Sequence, residues 1–173
     1  MTMAATGTTA PIAPPGALRI ALIAITAITA LGAMADFPLA FHDFGHTEPL
    51  LVFAQRVTSV KLMVAPLIAG TALFFAATGR LRATIATLAA LMLVTFVADL
   101  PTYPIHGFEL DGSLPELFVL TERVVLPLLG VAALMLAIRN THLVVATVFV
   151  ALPKIVTLTG VILFAVGVAV HGF

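Results

Sequence analysis

Five long apolar runs, broken by short clusters of charged residues, histidine and proline, organise this chain. They extend from about Arg19 to Ala35, Lys61 to Thr78, Ala83 to Leu100, Leu117 to Ile138 and Leu143 to Val170. Each reaches, or nearly reaches, the roughly 20 residues that cross about 30 Å of hydrocarbon. A chain in lipid must satisfy its own backbone hydrogen bonds, so runs of this kind are helices. The pattern predicts an all-α integral membrane protein, a bundle of five transmembrane helices forming one domain over residues 18–173. Residues 1–17, rich in Thr, Pro and small side chains, lack periodicity and read as a disordered tail. Arg19, an apolar stretch and Ala33-Met34-Ala35 also fit a cleaved signal peptide, which would leave four helices. The length of chain before Arg19 favours a retained first helix.

Local signals refine the helix ends. Ser113-Leu114-Pro115-Glu116 has the form of a capping box, with the serine oxygen accepting a backbone N–H and the glutamate reaching back. Thr47 before Glu48-Pro49 is a weaker cap. Helices 2 and 4 would therefore start outside the bilayer and tilt or protrude. The segments Val64–Phe74 and Val125–Met135 resemble each other, which suggests a duplicated hairpin of helices 2–3 and 4–5. Gly70, Gly130, Gly160 and Gly167 are expected to let helices approach closely.

Composition agrees with lipid as the solvent. Of 173 residues, 61% are hydrophobic and 9% charged, with a mean hydropathy of +1.19; a soluble domain carries about 25% charged residues. Eight basic and eight acidic residues cancel, so nothing points to nucleic acid. The absence of cysteine removes disulfides and thiolate metal sites.

Charge sets an expected orientation. Arg19 precedes helix 1, Gly79-Arg80-Leu81-Arg82 joins helices 2 and 3, and Arg139–His142 joins helices 4 and 5. The positive-inside rule makes these three sites cytoplasmic, with the N-terminus in and the C-terminus out of a bacterial inner membrane. Every acidic residue, and every histidine but His142, then falls at or beyond the outer ends.

Counting upward from the cytoplasmic ends, Asp36, Lys61, Asp99, Glu122 and Arg123 all come to about 23–26 Å at the helical rise. Four helices thus contribute charges to one layer under the outer surface. Lys154 comes to about 16 Å, near the midplane. A charge there costs from about 3 to more than 10 kcal/mol without a partner or water. Lys154 can reach toward the outer layer, where Asp99 or Glu122 would receive it. Thr147 and Thr157 share its face by heptad spacing, and Pro153 removes a backbone donor beside it. Two readings follow: ion pairs that set helix register, or an outward-opening polar chamber with a lysine at its floor.

The loop Phe41–Pro49 concentrates imidazoles and acids. His42 and His46 are spaced i, i+4, a common way for a helix to offer two metal ligands. Gly45 and the upstream Pro38 favour a loop instead. Asp43, Glu48 and His106, with Glu109, Asp111 and His171, are further candidates on the same side. Nitrogen and oxygen donors without sulfur suit zinc, copper(II) or iron. Solvated polar loops and histidine protonation switches use the same residues. His42-Asp43-Phe44-Gly45-His46 resembles the first histidine box of membrane fatty-acid desaturases and hydroxylases. That resemblance would imply a di-iron site built with further paired-histidine boxes. The chain has no adjacent His-His pair, and its motif is expected outside whereas theirs lies on the cytoplasmic side, so the assignment is set aside.

No phosphate-binding glycine loop or nucleophile elbow occurs, and the balance leans away from an enzyme. The leading expectation is a multi-pass protein that binds or transports a cation, with a divalent metal as candidate, or a small polar solute. The alternative is an accessory subunit without chemistry of its own. Partners would be the bilayer and either another membrane protein or a second copy.

Overall fold

A computed structural model describes residues 15–42, 45, 47–102 and 124–171. Among these residues all regular structure is helical. In chain order the helices are α1 (Pro15–Asp36), a 3₁₀ turn (Phe37–Phe41), α2 (Pro49–Ala77), α3 (Leu81–Asp99), a second 3₁₀ turn (Leu100–Thr102), α4 (Leu126–Arg139) and α5 (Leu143–His171). Three segments, Gly16–Phe41, Pro49–Ala77 and Leu81–Asp99, are long and apolar enough to cross a membrane. Leu126–Arg139 and Leu143–Thr159 are shorter apolar stretches among the described residues.

The helices form a ring, with α1 against α2, α2 against α3, α3 against α4 and α4 against α5. Lighter contacts of α1, α3 and α5 with one another close the bundle, so that α3 touches all four other helices. The interior is lined by small side chains: Ala69, Ala72, Ala76, Ala89, Ala133 and Ala146 are buried. The only fully buried side chains larger than alanine, among the described residues, are Leu22, Ile85, Thr26 and Thr84. Large apolar side chains point outward instead, Leu31 and Leu67 each to 71% exposure. Water-soluble folds bury their largest apolar groups. In lipid, burying them brings no hydrophobic gain, and close backbone approach through small residues holds helices together.

Several boundaries differ from the pattern-based ones. Helix α1 begins at Pro15, inside the expected tail. Helix α2 starts at Pro49, with Glu48 rather than Thr47 at the N-cap and no side-chain hydrogen bond there. Its 29 residues reach about 43 Å at the helical rise, so it does exceed a hydrocarbon core. The expected capping box at Ser113–Glu116 lies outside the described residues.

The glycines divide. A Cβ on Gly130 would lie 3.4 Å from Leu93 and Met92 of α3, so this glycine does permit close approach. Gly70 is exposed with open space around it, which corrects the expectation made for it. The buried threonines satisfy themselves. Thr26 donates to Leu22 O at 2.7 Å, Thr29 to Ile25 O at 2.8 Å and Thr147 to Leu143 O at 2.8 Å. A hydroxyl that bonds its own helix is cheap to bury where no water competes.

Candidate functional site

The arginines gather at one end of the bundle. Arg19 of α1 donates to the carbonyl of Ala77 at the end of α2. Arg82 of α3 donates to Ala137 O (3.1 Å) and Ile138 O (2.9 Å) at the end of α4. Helices α2 and α4 both finish here, so each presents last-turn carbonyls and the negative end of its dipole. A guanidinium meets both needs. Sequence reasoning used these arginines only to orient the chain. Their capping role was legible in principle, because each lies near the start of a helix whose hairpin partner ends beside it.

The carboxylates occupy the far end of α1 and α3. Asp99 closes α3 and receives Lys61 of α2, with Nζ 2.5 Å from Oδ1. Both side chains are partly buried, 18% and 33% exposed. The shared depth expected for this pair is therefore met by direct contact, and the pair ties α2 to α3.

Of the two acids expected to receive Lys154, Asp99 is engaged by Lys61 and Glu122 lies outside the described residues, as does Arg123. The acid whose charge acts on Lys154 through space is Asp36 of α1. The two make no direct ion pair. Lys154 is half-buried and follows the inward stripe of α5, one turn beyond Val150 and Ala151 and two beyond Thr147, all buried. Asp36 lies one heptad beyond the buried Thr29, at the exposed C-terminal end of α1. Thr157, expected to extend the stripe on α5, is exposed.

The histidine loop is only partly described. His42 ends the first 3₁₀ turn, exposed and extended (φ −80°, ψ 129°), with its N–H on Leu39 O at 3.2 Å. Gln55 of α2 donates to its carbonyl at 3.2 Å, pinning the loop to α2. The rings of Phe37 and Phe41 stack edge-on at 5.4 Å beneath it. Gly45 has φ +69°, a conformation that glycine adopts freely and a helix cannot contain. Asp43, His46 and His106 lie outside the described residues. Glu48 is exposed at the start of α2. Among the described residues no three potential ligands come together.

A groove of about 660 Å³ runs between the outer halves of α2 and α3, with Arg56 and Lys61 beside Val57, Val60, Leu93 and Val97. Its walls are apolar and Lys61 is already engaged by Asp99, so it offers a place for an acyl chain rather than for chemistry. No known family, curated protein or solved structure matches the chain.

Proposed function

We propose that the chain is a five-span protein of a bacterial inner membrane that binds or transports a small polar solute or a cation. Its N-terminus would be cytoplasmic, its C-terminus periplasmic, and its polar chamber open at the end bearing Asp36 and Asp99. A retained first helix is supported by the burial of Leu22 and Thr26 and by the capping of α2 by Arg19.

The observation that carries the proposal is the open charge pair on the α1/α5 seam. Lys154 lies on the inward stripe of a membrane helix, where an ammonium needs a counter-charge. Asp36 supplies attraction without contact. Unlike charges held apart leave room for a bridging group. A solute carrying both an acidic and a basic group satisfies both ends at once, with its carboxylate on Lys154 and its ammonium on Asp36. The metal version, through His42, Asp43, His46, Glu48 and His106, has less support, since the described part of that loop brings no ligand cluster together.

An accessory subunit is the second reading. It is favoured by the number of charges already committed to packing: Arg19, Arg82, Lys61 and Asp99 all join one helix to another.

One set of melting curves in detergent separates these readings. The probes are a panel of zwitterionic amino acids and zinc(II). Stabilisation by an amino acid that disappears in Lys154→Met and in Asp36→Asn is the expected result. Stabilisation by zinc alone, lost when His42 and His46 are both replaced by alanine, moves the site to the loop. No response to either class, together with a copurifying membrane protein, leaves the accessory role.

A further inference from the structure

We infer that the chain carries a tandem duplication of one helical hairpin, α1–α2 and α3–α4, followed by α5, a further helix of the first kind. Sequence and structure reach this independently. Arg19, Ala27, Ala35, Asp36 and Pro38 recur as Arg82, Ala90, Ala98, Asp99 and Pro101, each 63 residues on. Beyond them, Phe41-His42 with Phe44 recurs, 64 residues on, as Ile105-His106 with Phe108. Pro66 in α2 has its counterpart in Pro127 of α4. The repeating unit therefore starts one helix earlier than the similarity of Val64–Phe74 to Val125–Met135 suggests.

The folded copies match position by position. Leu22 and Thr26 are fully buried on α1, as are their counterparts Ile85 and Ala89 on α3. Both helices run into a 3₁₀ turn with proline second, Phe37-Pro38 and Leu100-Pro101. Ala69, Ala72 and Ala76 form the buried edge of α2; Gly130, Ala133 and Ala137 form that of α4. Both second helices end in the same paired hydrogen bonds. Gly79 N–H reaches Ala76 O (3.1 Å) and Arg80 N–H reaches Phe75 O (2.8 Å); Asn140 N–H reaches Ala137 O (3.2 Å) and Thr141 N–H reaches Leu136 O (3.1 Å). The turning residues, Gly79 at φ 77° and Asn140 at φ 53°, are left-handed in both. This helix ending is common in proteins. What helix chemistry does not demand is that each ending also receives an arginine from the first helix of its own copy, Arg19 on Ala77 and Arg82 on Ile138.

Helix α5 repeats α1 and α3. The buried residues Thr84, Ile85, Leu88 and Ala89 of α3 recur on α5 as Ala146, Thr147, Val150 and Ala151. The first turns correspond as well, Thr84 N–H on Arg80 O and Ala146 N–H on His142 O, both 3.0 Å. The two equivalent carboxylates differ in what meets them: Asp99 receives its lysine from α2, whereas Asp36 is approached by Lys154 of α5. That comparison deepens the solute-site reading and rests on it; the duplication does not.

The test exchanges equivalent segments within the full chain. In one variant residues 19–38 are replaced by the sequence of 82–101, so that Arg falls on Arg and Asp on Asp. In a second variant the same sequence is inserted two residues out of phase. Duplication predicts that the in-phase chimera purifies monodisperse with a melting temperature close to the parent's, whereas the shifted one aggregates or melts far lower. If both fold equally well, if both fail, or if only the shifted one folds, the inference is overturned. Solute-dependent stabilisation is read separately in Lys154→Met and Asp36→Asn, which leave the repeat intact, so the two readings fail separately.

Discussion

The α2/α3 seam and the α1/α5 seam both end in a carboxylate facing an ammonium, yet only the first is closed. Between α2 and α3, Lys61 touches Asp99 and the helices pack along their length. Between α1 and α5 the contact is lighter, and Asp36 and Lys154 attract without meeting. Threonine hydroxyls that have spent their donors on their own helices line this second seam. The same pair of side chains can therefore serve as a clasp or as a binding site. What separates the two is whether a neighbouring helix brings the cation within reach. A closed pair contributes to cohesion, whereas an open one leaves both charges with unspent electrostatic attraction in a poorly solvated place.

The largest expected effect comes from forcing a well-packed seam apart. Gly130→Leu pushes against Met92 and Leu93 and is expected to cost about 3 kcal/mol. Gly70→Leu, with open space around it, should change the melting temperature little. Equal losses at both positions would mean that α3 and α4 do not approach as described. Next come the two lysines. Lys61→Met removes the cation that meets Asp99 and should cost on the order of 2 kcal/mol, with Asp99→Asn in the same chain restoring part of it. Lys154→Met should leave stability near the parent's, since no contact is lost, and abolish solute-dependent stabilisation. A reversed result would exchange clasp and site. At the basic end, Arg82→Ala removes two hydrogen bonds to the last carbonyls of α4 and is expected to cost about 1 kcal/mol, read as a lower melting temperature. Arg80→Ala, exposed and without such bonds, serves as its control. Thr147→Val is the smallest change. It keeps the shape, removes a hydroxyl satisfied within its own helix, and should shift stability by about 0.5 kcal/mol or less.

Much of the fold was legible because lipid restricts the choices. Uninterrupted apolar runs longer than a soluble helix needs can only be helices, and their limits came within a few residues at α3 and α5. The start of α2 was less legible. Its first turns carry Gln55 and Arg56 and do not read as apolar, although they are helical from Pro49 onward. The level of Lys61 and Asp99 followed from counting residues, and their contact agrees with it. The acid opposite Lys154 did not follow, because the count ranks depth and says nothing of which helices are neighbours. Asp36 and Asp99 have equal depth, and α5 packs against both α1 and α3; what distinguishes them is that Lys61 already meets Asp99. At the histidine loop the sequence was legible one step further: Gly45 and Pro38 argued for a loop rather than a helix, and Gly45 has the positive φ of a turn.

By itself the sequence pointed to lipid as the solvent, to the helices, and to basic turns at one end with Asp36 and Asp99 at the other. These are one-dimensional properties: hydropathy, length and spacing act through local backbone geometry and transfer free energy. The tertiary structure alone decided that Arg19 and Arg82 cap their neighbours, that Lys61 closes on Asp99, and that α5 brings Lys154 toward Asp36. Contacts of that kind depend on which faces of separate helices meet. In an interior of alanine, glycine and threonine, small-residue packing sets that choice through shape across the bundle, which no single stretch of chain encodes.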